Sequence, residues 1–403
     1  MKPNMTYIKT MCHSGIIAAA AALLMLTTGC ERRELFVYQD NYKQVEVNID
    51  WRNYFRELYI NPNVTPAEDP GGMTIWFFPR DGRESYHYTT DEVRKFETYL
   101  SKGEYDGMVF DYSPSEYGLQ EFVGMEYAST AKVQSKPSSY QVDSIPQLYG
   151  AEAYDYTLPR HENGYAIIAN EPEDIASDTC YMNINTGKYD KYIPYKERKE
   201  YQSTLVKQVF DMEPVIVPWN MRIRIPVKGI YNAWKMEASV AGLADGYYLV
   251  QCKASDTPCL IKLDEWTIYY PDIVENPNSN DPANQVGYIA KTFKTWGPMG
   301  LENRNWDLHK KNHGWVLSDR VSNEVRINVK FTLRDRRTIV YHSFNIANVI
   351  EVGPNDYSLS VDLRQTLPES EWPVLPYVEA YNGIEFDGFV VPWEDGADAH
   401  VNF

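Results

Sequence analysis

The sequence predicts an all-β protein, two β-sandwich domains in tandem behind an export leader. Three observations carry that prediction. Apolar and polar residues alternate with a period of two in run after run, no segment holds a long, clean helical period, and aromatic residues make up 14% of the 403 residues, with Tyr alone contributing 32. A single core stops growing at roughly 250–300 residues, so a chain of this length has room for two.

The leader comes first. Residues 1–29 carry Lys2 and Lys9, then the apolar run Gly15 to Leu26, then Thr27, Thr28 and Gly29 ahead of Cys30. A positive start, an apolar middle and a small-residue end mark a secretory signal peptide. The apolar run is 12 residues long, well short of the ~20 that a helix needs to cross a bilayer. Its ending is similar to the bacterial lipobox, in which a peptidase cuts before a cysteine whose thiol carries a diacylglyceryl group. Gly29 is small enough to admit the peptidase and Cys30 is the expected lipid site, while Thr27 departs from the usual aliphatic residue three places before the cysteine. Residues 30–36 then form a short charged tether, and acyl chains at ~0.8 kcal/mol per buried methylene would make the anchor permanent. Apart from that covalent lipid on Cys30, no cofactor is expected.

Strands follow in order. Val45, Val47, Ile49 and Trp51 alternate with Gln44, Glu46, Asn48 and Asp50, as expected where one face of a strand is buried. Met73–Phe78, Met108–Tyr112 and Trp266–Tyr270 are apolar on both faces and suit the centre of a sandwich. Asp91–Leu100 is ambiguous: Thr89 and Glu92 have capping-box spacing, yet Phe96, Thr98 and Leu100 alternate, which favours a strand at its end. In the second half, Met221, Ile223, Ile225 and Val227 alternate with polar neighbours. Val325, Ile327, Val329, Phe331 and Leu333 do the same, and a turn at Asp335–Arg337 returns the chain through Thr338–Phe344 as a hairpin. The charged, Pro-containing stretch Tyr189–Tyr201 is the expected linker, giving domains over 37–195 and 205–403. Asn276–Asn284 reads as a long solvated loop.

Composition excludes some chemistry. Acidic residues outnumber basic ones 56 to 39, so nucleic acid, whose binding is driven by Lys and Arg, is not an expected partner. Cleavage before Cys30 would remove Lys2 and Lys9 and leave a charge of −19, which holds the body off an anionic headgroup layer. His309 and His313 have the spacing of metal ligands on one helix face, but Lys310 follows where a zinc protease has Glu, so no metal site is assigned. No nucleophile elbow or phosphate-binding glycine loop occurs, and with so many carboxylates a chance pair means nothing. The chain is therefore not expected to be an enzyme. Of the remaining cysteines, Cys252 and Cys259 enclose six residues and could close a turn as a disulfide in an oxidising periplasm, with Cys180 left over.

The segment Glu34–Ala131 resembles the outer-membrane lipoproteins of the fimbrillin (type V pilus) group, in particular anchor or accessory subunits. The residues that carry the resemblance are Cys30 with its tether, the first strand Gln44–Trp51, Asp69-Pro-Gly-Gly-Met73, and Leu100-x-x-Gly103-x-Tyr105 leading into Met108–Tyr112. Leu243-Ala-Asp-Gly246-Tyr-Tyr248 repeats the last pattern, and the second half is more weakly similar through Pro226–Gly242, Val325–Phe344 and Gly388–Trp393. The resemblance implies two transthyretin-like (Greek-key) sandwiches, outer-membrane attachment, and a role in fimbrial assembly or adhesion in which a strand of one subunit completes a sheet of another. The alternative is a surface glycan-binding lipoprotein serving carbohydrate uptake, its Trp266, Trp296, Trp306, Trp315, Trp372 and Trp393 offering stacking surfaces, although most such Trp side chains fill cores. Labelled palmitate is expected to enter the wild-type protein and not Cys30→Ala, which should leave the membrane fraction; equal labelling of both would show that Cys30 is not the acylated residue.

Overall fold

The computed structural model describes residues 42–53, 69–138, 148, 167–184, 207–270, 285–300, 325–352 and 358–381. Almost all regular structure among them is strand, in 22 segments numbered here in chain order. Helix is confined to single turns such as Leu363–Thr366. The leader, Gly29 and Cys30, the linker stretch, the Asn276–Asn284 loop, His309 and His313, and the C-terminal tail lie outside the described residues.

Five sheets result. Two face each other around the largest part of the core. One runs β17 (Thr267–Tyr269), β18 (Val286–Thr295), β12 (Trp219–Lys228), β22 (Ser358–Asp362) and β21 (Glu351–Val352). The other runs β20 (Ile339–Asn345), β19 (Arg326–Leu333), β13 (Ala233–Ala244), β16 (Pro258–Leu263) and β8 (Ile168–Ala169). A four-stranded sheet joins β15 (Lys253–Ala254), β14 (Gly246–Tyr248), β7 (Lys132–Ser135) and β6 (Gln120–Val123). A further five-stranded sheet runs β11 (Val215–Ile216), β9 (Ala176–Ile184), β5 (Gly103–Asp111), β2 (Met73–Pro79) and β3 (Tyr86–Thr90). The last is β10 (Gln208–Met212), β1 (Tyr42–Ile49) and β4 (Lys95–Ser101). By packing, the chain separates into a smaller unit within 1–46, 97–104 and 183–209, and a larger one comprising the rest. In the smaller unit, Lys207 bridges Glu46 and Glu97.

The core is the alternation made solid. On β19, Ile327, Val329, Phe331 and Leu333 point inward and are completely buried; Met221, Ile223, Ile225 and Val227 do the same on β12. Strand β12 runs antiparallel to β18 over ten residue pairs and parallel to β22 over five, so its inner residues are walled on both sides. Burial of side chains of this size stabilises by about 1.5–3 kcal/mol each. The cluster continues through Val133 and Tyr247 to Trp76, Met108 and Phe110. Strands from before and after the expected linker also share sheets: β7 pairs with β14 (Gly246 opposite Gln134), and β8 with β16.

Several expectations resolve here. The hairpin is present, β19 and β20 pairing over seven residues from Arg326–Asn345 to Thr332–Ile339. The ambiguous Asp91–Leu100 segment is a strand at its end, β4, and the Glu92 amide donates to the Thr90 hydroxyl in place of a helix cap. Trp266–Tyr270 corrects the reading of a sandwich centre: β17 is a three-residue edge strand whose residues are half-buried or exposed. Its tyrosines survive at an edge because Tyr269 stacks on Tyr288 at 4.4 Å and Tyr270 on Tyr231 at 4.7 Å. Both Gly-x-Tyr and Gly-Tyr corners bury a tyrosine, Tyr105 and Tyr247. Beside the second, Lys132 closes on Asp245 at 2.8 Å.

Gly246 is required by contact: a Cβ there would collide with the Val133 carbonyl oxygen across the β7–β14 pairing. Gly246→Ala is expected to lower unfolding free energy by about 1–3 kcal/mol in urea titrations. Gly71→Ala, whose Cβ would sit at an ordinary 3.7 Å from Tyr112, should stay within about 0.5 kcal/mol.

Candidate interaction edges

An open sheet ends in a strand whose outer amides and carbonyls have no ladder, and proteins usually guard such edges with Lys, Pro, bulges or shortness. Strand β20 is seven residues long and, among the described residues, pairs on one side only, with β19. Its sequence, Ile-Val-Tyr-His-Ser-Phe-Asn, contains no charged residue and no proline, and its pairing with β19 has no bulge. Among the described residues strand β3 likewise pairs only with β2, and it reads Tyr-His-Tyr-Thr-Thr, again uncharged. Edge strands elsewhere differ: β4 carries Lys95 and Glu97, and β10 carries Asp211.

The side chains of β20 divide by face. Ile339 and Tyr341 stand 46% and 38% exposed, while Phe344 is buried and His342 lies edge-on to Phe331 at 6.1 Å. Burial lowers the His342 pKa below its ordinary 6.5, and its Nε2 has no hydrogen-bond partner among the described residues. The imidazole is therefore neutral at pH 7 and acts as an aromatic. On β3, Tyr88 is 41% exposed and packs against Phe77 and Phe96, and His87 stacks on Trp76 at 4.0 Å. Both edges are thus lined by rings.

Buried and half-buried carboxylates are committed elsewhere. Asp111 accepts from the Tyr117 hydroxyl at 2.9 Å and the Ala176 amide at 2.8 Å. Asp178 accepts from the Glu213 and Thr179 amides. Burial works against the charge of Glu237, but Lys330 and Lys235 outweigh it and hold the carboxyl below its usual range. Asp362 is held low in the same way by Arg364 and Arg224, and Arg364 then lies 4.3 Å over the Tyr288 ring. Among the described residues, no group of three or more His, Cys, Asp or Glu could hold a metal.

The Cys252–Cys259 bridge is not formed. All three described cysteines are free thiols. Cys259 is buried on β16 and donates to the Ala244 carbonyl at 3.2 Å, whereas Cys252 donates to the Leu249 carbonyl and lies 3.9 Å from the Thr179 hydroxyl. Each thiol has its own carbonyl, so the six-residue spacing does not bring the sulfurs together. Of the tryptophans considered, Trp266 and Trp296 are core, Trp372 is half-buried beneath Lys228, and Trp306, Trp315 and Trp393 lie outside the described residues. Among the described residues the exposed tryptophan is Trp234, which was not singled out by sequence, because nothing local marks the bulge that turns it outward.

Comparison with known proteins places the chain. The family model described as Domain of unknown function (DUF5119) matches residues 29–264, more than half of the sequence. The chain belongs to that family. No curated protein matches it. Among solved structures, it is similar to a candidate adhesin from Bacteroides ovatus at 14% identity and TM-score 0.51, over 87% of this chain and 98% of that one. That is a likeness of fold, and it extends over nearly the whole length of both. Weaker likenesses are a candidate adhesin from Bacteroides thetaiotaomicron (8% identity, TM-score 0.40, 77% and 82% covered) and the fimbrial anchor protein Mfa2 from Porphyromonas gingivalis (10%, 0.38, 80% and 89%). Among the described residues of this family member, no helix is long and apolar enough to cross a membrane.

The His342 ring gives a pH dependence with a definite sign. Its folded pKa is depressed, so its contribution is complete above 6.5 and is lost as pH falls through the lower folded value. Denaturant midpoints of the wild type should drop across that window, and His342→Phe should remove that part of the drop.

Proposed function

We propose that this chain is a lipid-anchored protein of the outer membrane that acts, without catalysis, in fimbrial anchoring or assembly or in surface adhesion. Cys30 is the anchor in this reading, and fimbrial subunits are the partners, joined by strand addition. The observation that carries it is the unguarded β20 edge: seven residues without a charge or a proline, in a protein of which 24% is charged. A donated strand would satisfy that ladder and fit alternate side chains beside Ile339 and Tyr341. The all-β fold, similar along its length to a candidate adhesin, supports the same reading, as does the occupation of its buried carboxylates by structural hydrogen bonds.

Tyr341→Glu tests it. The new carboxylate faces Lys330 on β19, so folding stability should change by no more than about 0.5 kcal/mol, while a charge on the edge should block strand addition. Subunits that co-purify with the wild type from membranes should be lost from the variant. Undiminished co-purification would remove β20 as the docking edge.

A further inference from the structure

The turn that leads into β20 carries an unusual concentration of positive charge. Arg334, Arg336 and Arg337 fall within four residues, in a chain whose net charge is −17. The one acid among them, Asp335, leaves the turn with a net charge of +2. Asp335 spends its carboxylate inside the turn, accepting from the Thr338 hydroxyl, the Thr338 amide at 2.9 Å and the Arg337 amide at 3.1 Å. Arg334 and Arg337 are exposed, and Arg337 interacts electrostatically with the Asp335 carboxylate.

The third arginine is placed at a conformational cost. Arg336 has φ 56°, a left-handed conformation rare for a residue with a side chain. It is held there by the Arg336 amide donating to the Leu333 carbonyl at 2.8 Å and the Leu333 amide to the Thr338 carbonyl at 2.9 Å. The result is a guanidinium set between two exposed rings, 4.8 Å from the centre of Trp234 and 5.5 Å from that of Tyr381. Trp234 is 46% and Tyr381 39% exposed. Each ring has a reason to be there. Trp234 sits at the bulge where β13 shifts register against β19, and Tyr381 is fixed by its amide donating to the Arg334 carbonyl at 3.0 Å. Glu379 is the acidic residue nearest in the segment that carries Tyr381.

We propose that this patch binds an acidic polysaccharide, one bearing uronate carboxylates or sulfates. Flat amphipathic rings suit the apolar faces of pyranoses, and guanidiniums form forked hydrogen bonds with carboxylate or sulfate oxygens. In a chain whose net charge is −17, a turn where arginines outnumber acids is a place that favours a polyanion. An acidic polypeptide would be met by the charges but would leave the two rings unused, which is why a sugar is the favoured occupant. The inference is independent of strand addition at β20, and either can fail alone.

The test is binding of the mature full-length protein to polygalacturonate and chondroitin sulfate, with dextran and polyglutamate as controls, at low and moderate salt. The wild type should bind at least one of the two acidic polysaccharides, weaken as salt rises, and ignore dextran. Arg334→Ala, Arg337→Ala and Trp234→Ala should each weaken binding about ten-fold, with circular dichroism unchanged. The two arginines are exposed at a turn, so they report even if the Trp variant misfolds. Lack of binding to either acidic polysaccharide, equal binding to polyglutamate, or variants that bind like the wild type would each overturn the assignment.

Discussion

Every backbone amide and carbonyl taken from water needs a partner, and a sheet that is not closed leaves one row of them at each end. That constraint organises this molecule. Among the described residues five sheets end in ten edge strands, and the protein treats them differently. Some are very short, as at β8, β11 and β15, and some carry charges, as at β4 and β10. Strands β20 and β3 have neither defence. In the proposed reading, an edge left without charge or proline serves to pair with another strand.

The interior makes such an edge affordable. Strand β20 is fastened to β19 over its whole length, and β19 in turn to β13, with their inner residues locked in one core. In the proposed reading the edge is presented on a well-packed core, which would limit the entropy lost on docking. His342 and Phe344 on the inner face hold the strand down while Ile339 and Tyr341 remain outside.

Local periodicity made much of this legible. The β19–β20 hairpin, β12 and the first strand could be read residue by residue, because a period of two reports one buried face without reference to anything distant. What could not be read is position within a sheet. Trp266–Tyr270 looks like a core strand because its residues are apolar, yet it lies at an edge where tyrosines stack on one another. The pairing of Gly246 with Gln134 joins residues more than a hundred positions apart, and no local pattern encodes it. The same holds for the patch around Arg336: three arginines are visible in the sequence, but the ring on either side comes from β13 and from the segment after Trp372. Cys252 and Cys259 show the converse, a suggestive spacing undone by two carbonyls that each take a thiol.

The account is tested most directly by amide hydrogen exchange across Ile339–Phe344, in the isolated protein and in the assembly recovered from membranes. Alternate amides of an edge strand point outward, so about half of them should exchange fast in the isolated protein and become protected in the assembly. Outward amides already protected in the isolated chain, or equally fast in both states, would contradict the claim that this edge is completed by a partner's strand.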